Sequence, residues 1–389
     1  MSLLIRNVQL VLEEGILWDG ALLVREGRIA ALGREDELPC PADAELLDGE
    51  GLYLGPGFVD IHVHGGGGHL FYQEPEQAAE HFLAHGETTI LPALYFYLGP
   101  EEYVEAIRRI RAAAGSGGAG RVIAGVYMEG PYLNPKYGAD PEKNQWLGPV
   151  DPEKYRPVVD CAGSFARMWA VAPEREGVAE FMRYVRSVDP AARFSVAHSE
   201  ADFAQMAEAK ALGANQLTHC MDATGRRSDW EGTRGCGPDE YCLLDREMYA
   251  ELISDSRGIH VSSALQRLIL QSKGPDRVVL ITDSSVRRHP APKGLENVTD
   301  LSFDPKGRLG GSLLTMDQAC RNIMHHTSCG LAQAFLLASR NPARAVGLED
   351  RGTLAPGKRA DLVLTDDRFR VKRVFSEGKT AAIDETIIR

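Results

Sequence analysis

Residues 57–94, GFVDIHVHGGGGHLFYQEPEQAAEHFLAHGETTILPAL, contain the alternation that decides the fold. An apolar, strand-like run at 57–61 is followed by a segment at 76–85 in which apolar residues recur at helical spacing. A second apolar run, at 88–94, comes soon after that segment. A strand, a helix and a second strand in this order indicate a parallel β–α–β unit, so this stretch predicts the beginning of an α/β fold.

The same alternation continues through the middle of the chain. Helix-like segments separate several of the runs, at 101–112, 177–188 and 202–212. Six further strand-like runs occur at 122–128, 167–171, 194–197, 216–218, 251–254 and 278–282. Eight strands alternating with crossovers over ~230 residues predict a TIM-like (β/α)8 barrel, with a doubly wound sheet as the structural alternative.

The two ends of the chain have a different pattern, in which turn residues separate short apolar runs. These runs lie at 3–5, 8–11, 21–24, 29–32, 360–364, 371–375 and 380–383. Neither end has enough residues for a good sheet alone, so we expect both ends to pair in one small domain. The sequence therefore predicts a small β-sandwich domain formed by residues 1–55 and 353–389, and a barrel domain at 56–352.

The composition is that of a globular protein and limits the classes of partner. The chain has 389 residues, of which 44% are hydrophobic and 25% charged, and a net charge of −12. A negative field of this size repels nucleic acid and anionic lipid, so we expect neither as a partner. Seven cysteines, an odd number without a CxxC pair, argue against a disulfide framework. Without an apolar stretch of the ~18 residues that span a bilayer, the sequence predicts a soluble cytoplasmic protein.

Polar side chains follow five of the eight predicted strands. The carboxyl ends of barrel strands share one rim, where active sites lie. Imidazole nitrogen and carboxylate oxygen are ligands for divalent metals such as Zn²⁺, and two histidines at i and i+2 on a strand point the same way. Taken singly, each residue has a structural explanation, such as a hydrogen-bonded core histidine or a helix N-cap. Together they predict a metal site formed by His62, His64, Glu129, His198, His219 and Asp283.

Several motifs resemble one known family over nearly the whole chain. Residues 56–64 (PGFVDIHVH) resemble the opening signature of the amidohydrolase superfamily, and 352–363 (GTLAPGKRADLV) resemble its return into the small β-domain. Other segments are similar, in the same order, to the N-acetylglucosamine-6-phosphate deacetylase branch of that superfamily. These segments are 128–136 (MEGPYLNPK), 197–201 (AHSEA), 217–219 (LTH), 280–283 (LITD) and 310–316 (GGSLLTM).

The resemblance implies a metal-dependent hydrolase of amide C–N bonds that deacetylates N-acetylglucosamine 6-phosphate or a closely related N-acetyl amino sugar. It implies a divalent metal, with zinc expected, at one or two ions per chain. Asp283 would be the general base and then the acid, and His260 would touch the substrate. Related proteins are often homodimers, so we expect one here. In the implied metal site, Glu129, His198 and His219 hold the main ion, and His62 and His64 could complete a second site with Glu129 bridging.

The segment after the sixth predicted strand departs from the family pattern. The family usually has Asn-Ala-Met there, followed by an arginine that helps to hold the sugar phosphate, whereas this chain has Met221, Asp222 and Ala223. Asp222, Ala223 and Arg227 are therefore the candidate substrate contacts, although Asp222 places a negative charge near the expected phosphate. Basic residues at 226, 234 and 287–293 could compensate or be solvated.

Two other functions stay open on the sequence alone. A paralogous amidohydrolase could act on a different, non-phosphorylated N-acyl or cyclic amide. A barrel could also serve as a non-catalytic scaffold, although burying so many polar groups without a ligand is costly.

Overall fold

The fold was analysed in a computed structural model that describes residues 2–138, 140–226, 228, 230–286 and 289–381. Its strands, in chain order, are β1 (Ser2–Leu12), β2 (Gly15–Arg25), β3 (Arg28–Arg34), β4 (Ala44–Asp48), β5 (Tyr53–Pro56), β6 (Phe58–Val63), β7 (Gly65–Gly66), β8 (His69–Leu70), β9 (Glu87–Tyr95), β10 (Val126–Glu129), β11 (Ala166–Val171), β12 (Phe194–Val196), β13 (Ala214–Leu217), β14 (Tyr249–Ile253), β15 (Val278–Ile281), β16 (Leu301–Phe303), β17 (Leu309–Ser312), β18 (Leu362–Thr365), β19 (Val371–Ser376) and β20 (Lys379–Thr380).

The α-helices, in chain order, are α1 (Pro75–Ala84), α2 (Pro100–Ala114), α3 (Pro152–Ala162), α4 (Val178–Val188), α5 (Phe203–Ala211), α6 (Pro238–Leu244), α7 (Ser263–Lys273), α8 (Met316–Thr327), α9 (Leu331–Phe335) and α10 (Asn341–Ala345). Short 3-10 turns occupy Ala119–Val122 and Gly163–Phe165, and a π-helical turn, Leu336–Arg340, joins α9 to α10. Within the described ranges, no helix is both long enough and apolar enough to cross a bilayer.

Eight parallel strands form the barrel, in the order β6, β9, β10, β11, β12, β13, β14 and β15. Each is followed by a helix, from α1 after β6 to α8 after β15. Backbone hydrogen bonds close the ring, because the N–H of Asp283 donates to the carbonyl of His62 (2.9 Å) and the N–H of His64 to that of Ser284 (2.7 Å). All eight predicted barrel strands are confirmed, and the closed ring excludes the doubly wound alternative.

The local sequence explains these elements. Barrel strands are covered on both faces, so they are mostly apolar, and every residue of β6 is buried, including the polar Asp60 and His62. Helices bury only one side: α4 buries Val178, Phe181, Met182 and Val185, at helical spacing. The predicted helix over 202–212 begins at Asp202, whose carboxylate caps the first turn as the N-cap of α5.

Strands from both chain ends form a second, mixed sheet. Its order is β20, β19, β18, β5, β1, β2 and β3, with β4 alongside β1. The predicted pairing of the two chain ends is confirmed, because their strands belong to one continuous hydrogen-bonded sheet; the division into two domains stays a prediction. The runs predicted at 3–5 and 8–11 form the single strand β1, because an irregularity between Ile5 and Val8 lets pairing with β2 continue. Residues 382–383 of the last predicted run lie outside the described residues.

The carboxyl end of the barrel opens into a cavity of about 510 Å³. Two segments between barrel elements border this opening: residues 135–138 and 140–143, after β10, and the β16–β17 hairpin, between β15 and α8. All seven cysteines are free thiols.

Candidate active site

The six side chains predicted as metal ligands or catalytic base meet at the floor of this cavity. They form two groups whose potential ligand atoms lie within 4.8 Å of one another. One group is His62, His64 and Asp283, and the other is Glu129, His198 and His219. The structure therefore brings together all six residues from the ends of five different strands.

Glu129 lies between the two groups. Its Oε1 atom is 2.9 Å from Nε2 of His198, 3.6 Å from Nε2 of His219 and 3.8 Å from Nε2 of His62. Its Oε2 atom is 3.2 Å from Nε2 of His64. One carboxylate thus faces both groups, which is the arrangement that a ligand bridging two ions requires. Asp283 belongs to the group of His62 and His64, because its Oδ1 is 3.2 Å from Nε2 of His64.

Each of the four imidazoles is oriented by a hydrogen bond at Nδ1. Since these partners are carbonyl or carboxylate oxygens, the Nδ1–H donates and Nε2 faces the cluster. The acceptors are Ala93 O for His64 (3.1 Å), Tyr137 O for His198, Asp222 O for His219 (3.1 Å) and Glu251 Oε2 for His62 (3.2 Å).

The backbone also presets three of these side chains. His198, His219 and Asp283 each come two residues after the end of a strand, and each has a positive φ of 43°, 31° and 46°, respectively. Non-glycine residues rarely adopt this region, and such residues concentrate at functional sites. The turn directs each side chain toward the cluster instead of along the barrel wall.

The residues fit a divalent metal centre. Nε2 of His62 is buried and has no hydrogen-bond partner among the described residues. An orphaned buried nitrogen costs free energy unless a ligand satisfies it. All six donors are imidazole nitrogens or carboxylate oxygens from residues that are less than a tenth exposed, and none is a thiol. This donor set suits a borderline divalent cation.

The charges in the cluster stabilise one another. Burial alone would raise the pKa of the Glu129 carboxyl, but hydrogen bonds from the surrounding histidines hold it well below its usual range. Burial alone would lower the pKa of His219, but Glu129 and nearby aspartates raise it to about 9. Burial alone would raise the pKa of Asp283, but the hydrogen bond from His64 lowers it. A bound cation would replace these protons on the imidazoles.

The wall of the cavity contains the other predicted contacts that the structure describes. Asp222, Ala223 and His260 all line it. Nδ1 of His260 lies 3.1 Å from Oδ2 of Asp255, and its Nε2 is buried without a partner among the described residues. Burial would lower the pKa of His260, but Asp255 and the nearby Asp222 and Asp283 raise it. With Nδ1 paired to Asp255, Nε2 is the ring nitrogen left free to contact a bound molecule, and the surrounding aspartates favour the protonated imidazole, in which Nε2 is a donor.

The basic residues at the cavity differ from those considered in the sequence. Arg227 lies outside the described residues, as do residues 287 and 288. Arg226 and Arg234 both pair with Glu240, at 2.6 and 3.1 Å, and do not line the cavity. Among the described lysines and arginines, those that line it are Lys136, Lys143 and Arg308. Tertiary packing brings their loops to the mouth of the cavity, and no local sequence motif predicts that position.

Two buried acids that support the site were missed from the sequence. Glu251 of β14 contacts His62, and Asp255 holds His260. The signal that could have found them is that Glu251 is a carboxylate in an otherwise apolar predicted strand and that Asp255 directly follows the same strand. Asp60 of β6 accepts hydrogen bonds from the backbone N–H of His62 (3.1 Å) and from the hydroxyl of Thr282.

Comparisons with known proteins agree with the fold and the site. The model of the Amidohydrolase family matches residues 53–381. The chain belongs to this amidohydrolase family. Its match extends from the sheet formed by the chain ends through the entire barrel.

Several similar proteins are amino-sugar 6-phosphate deacetylases. The chain is 29% identical to an N-acetylglucosamine-6-phosphate deacetylase of Bacillus subtilis, over 99% of this chain and 98% of the relative. It is 30% identical to an N-acetylgalactosamine-6-phosphate deacetylase of Escherichia coli, over 98% of this chain and 100% of the relative. A mutant N-acetyl-D-glucosamine-6-phosphate deacetylase from Mycobacterium smegmatis, solved in complex with N-acetyl-D-glucosamine-6-phosphate, is 29% identical. Its TM-score is 0.83, and the match covers 97% of this chain and 99% of that chain.

Proposed function

We propose that this chain is a metal-dependent deacetylase that removes the acetyl group from N-acetylglucosamine 6-phosphate or a closely related N-acetyl amino sugar. The observation that carries the proposal is the convergence of Glu129, four histidines and Asp283 on the floor of one cavity. That cavity, at about 510 Å³, is of the size that small-molecule sites usually have. Similarity over nearly the full length to two amino-sugar 6-phosphate deacetylases supports the substrate class.

In this proposal, the chain holds up to two zinc ions. Glu129, His198 and His219 are the ligands of the first, and His62 and His64 complete the second, with Glu129 shared between them. The all-nitrogen-and-oxygen donor set supports zinc over softer metals. When bound, such an ion supplies Lewis acidity and a water activated for attack at neutral pH.

Asp283 is the proposed general base and then the general acid. Its lowered pKa leaves a carboxylate that can accept a proton from the attacking water at neutral pH. The protonated side chain then donates that proton to the leaving amide nitrogen, so no covalent intermediate with the protein is needed. His260 donates a hydrogen bond from Nε2 to a substrate oxygen, and Asp222 and Ala223 contact the sugar beside it. Arg227 stays our candidate for the phosphate.

The second candidate is hydrolysis of a non-phosphorylated N-acyl or cyclic amide. Asp222 favours it, because two like charges ~4 Å apart repel by roughly 4 kcal/mol at an effective dielectric of ~20. Two cations at the mouth already have carboxylate partners: Lys136 lies 2.6 Å from Glu200, and Arg308 lies 2.7 Å from Asp304.

Acetate release separates these candidates. The zinc-loaded protein should be assayed with N-acetylglucosamine 6-phosphate, N-acetylgalactosamine 6-phosphate and unphosphorylated N-acetylglucosamine. Preference for a phosphorylated sugar supports the leading proposal and identifies the hexosamine. Preference for the unphosphorylated sugar, or for other amides, supports the second candidate. A protein that binds no metal and releases no acetate from any of them would be a scaffold.

We also propose a cytoplasmic location. The free thiols support this, because seven unpaired cysteines are typical of a reducing compartment.

A further inference from the structure

Glu251 is a glutamate on a barrel strand with no contact to solvent. It lies in the middle of β14, between Ala250 and Leu252, and its side chain is fully buried. Charged residues are almost never buried to this extent unless a specific partner requires them. The partners of Glu251 therefore indicate what the residue is for.

Every polar contact of the Glu251 carboxylate is with a donor. Oε2 accepts a hydrogen bond from Nδ1 of His62 at 3.2 Å and a longer one from the backbone N–H of His219 at 3.4 Å. Oε1 accepts from the amide Nε2 of Gln216, which is itself fully buried. Gln216 thus holds one oxygen while the other faces the two histidines.

His62 depends on a side chain for its orientation, unlike the three other imidazoles of the cluster. Backbone carbonyls hold His64, His198 and His219 at Nδ1, and a backbone carbonyl cannot be removed by mutation. The ring of Tyr127 packs against His62 with centroids 4.4 Å apart, so it limits the position of the imidazole. That contact does not determine which nitrogen carries the hydrogen.

We propose that Glu251 is a positioning residue for the ion held by His62 and His64. By accepting from Nδ1–H, it fixes the tautomer in which the lone pair of Nε2 faces Glu129 and Asp283, each 3.8 Å away. A carboxylate behind a ligating histidine commonly changes metal affinity by about 10- to 100-fold. The effect falls mainly on one of the two ions, because backbone carbonyls orient the imidazoles of His198 and His219, and Glu251 reaches only the backbone N–H of His219, at 3.4 Å. This inference rests on the metal-dependent function proposed above.

The test compares zinc binding by the full-length protein and two variants. Glu251→Gln keeps the shape but removes the negative charge that accepts from Nδ1 of His62, and an amide group in place of Oε2 leaves two donors, His62 and the backbone N–H of His219, without an acceptor. Glu87→Gln is the matched control, since Glu87 is also fully buried on a barrel strand but accepts from the backbone N–H of Met316 at 2.6 Å. Each protein is stripped with a chelator, and zinc stoichiometry and affinity are measured by competition with a chromophoric chelator. Thermal unfolding of the stripped proteins measures the stability cost of each substitution.

We expect two ions per chain in the wild type and in Glu87→Gln. In Glu251→Gln, one ion should keep its affinity while the other weakens about 10- to 100-fold. Unchanged affinity for both ions, or equal weakening of both, would overturn the inference. A wild type that takes up no zinc would overturn the proposed function as well. This result can be told apart from a failure of the inference alone, because it is obtained before any variant is measured.

A second variant covers the case in which Glu251→Gln does not fold. Gln216→Met leaves the carboxylate in place but removes the donor that holds its Oε1. It should weaken the same single ion by a smaller factor. Wild-type affinity for both ions in this variant, together with failure of Glu251→Gln to fold, would show a structural role alone and would overturn the inference.

Discussion

Replacing Asp283 with asparagine should remove most of the turnover while leaving the protein folded. The carboxylate lines the cavity, and its Oδ1 lies 3.2 Å from Nε2 of His64. Asparagine has the same shape and tolerates the positive φ of 46° at this position. It retains one oxygen toward His64, but its amide can neither accept the proton of the attacking water nor return it to the leaving nitrogen.

The size of the effect can be worked from these roles. General acid–base catalysis contributes about 10²- to 10⁴-fold, and here one group serves in both directions. We therefore expect kcat to fall by about 10³- to 10⁴-fold, which corresponds to about 4–5.5 kcal/mol of lost transition-state stabilisation. KM should change little. The ion held by Glu129, His198 and His219 should be retained, because Asp283 belongs to the other group of ligands.

The assay is acetate release at saturating substrate, with zinc content measured on the same samples. Asp317→Asn is the matched control, because Asp317 is another buried aspartate that pairs with His85 (3.3 Å) and Arg321 (2.8 Å), outside the cavity lining. This control should keep wild-type turnover even if its stability falls. Turnover of Asp283→Asn within about tenfold of the wild type, at full zinc content, would refute the assignment of the base.

Asp255→Asn should lower kcat/KM about 10- to 100-fold, because His260 loses a charge-assisted hydrogen bond of about 1.5–3 kcal/mol. Steady-state kinetics check this, and an unchanged kcat/KM contradicts it. Chelation should abolish acetate release and lower the thermal midpoint, and zinc should restore both; turnover without metal would contradict the proposed mechanism. Burial and the nearby His85 lower the pKa of His81 from 6.5 to about 4. The folded protein disfavours the protonated imidazole, whereas the unfolded chain takes up the proton near pH 6.5. His81 therefore costs no stability above pH 6.5, and it lowers the free energy of unfolding as the pH falls toward 4. Urea unfolding should therefore show that the free energy of unfolding falls less in His81→Asn than in the wild type between neutral pH and about pH 5, by about 2 kcal/mol. An equal fall in the two proteins would contradict this.

Much of the site was predictable because barrel topology converts positions along the chain into positions in space. A polar residue just after an apolar strand lies at the carboxyl rim wherever that strand stands in the order. His62, Glu129 and His198 are far apart in the sequence, yet this rule alone places them together. The bridging position of Glu129 was suggested by the family resemblance, and the structure supplies its distances.

The supporting residues were not predictable by the same rule. Glu251 lies within a strand instead of after it, and the sequence does not say whether a residue there faces the barrel interior or the helices. Lys143 and Arg308 belong to segments between barrel elements whose course depends on tertiary packing. Local patterns contain little information about either, so the contacts that orient His62 and those that line the mouth became visible only in the structure.

The sheet that joins the two chain ends has a consequence for how the protein is made. β18 pairs with β5, so the edge of β5 stays unpaired on the ribosome while the whole barrel is being synthesised. Such an open edge is a template for misassociation, and contacts so distant in sequence form late. A nascent chain that stops before Leu362 would contain a nearly complete barrel beside β5, whose backbone edge is unpaired. Incomplete translation products of this protein should therefore aggregate instead of accumulating as partly active enzyme.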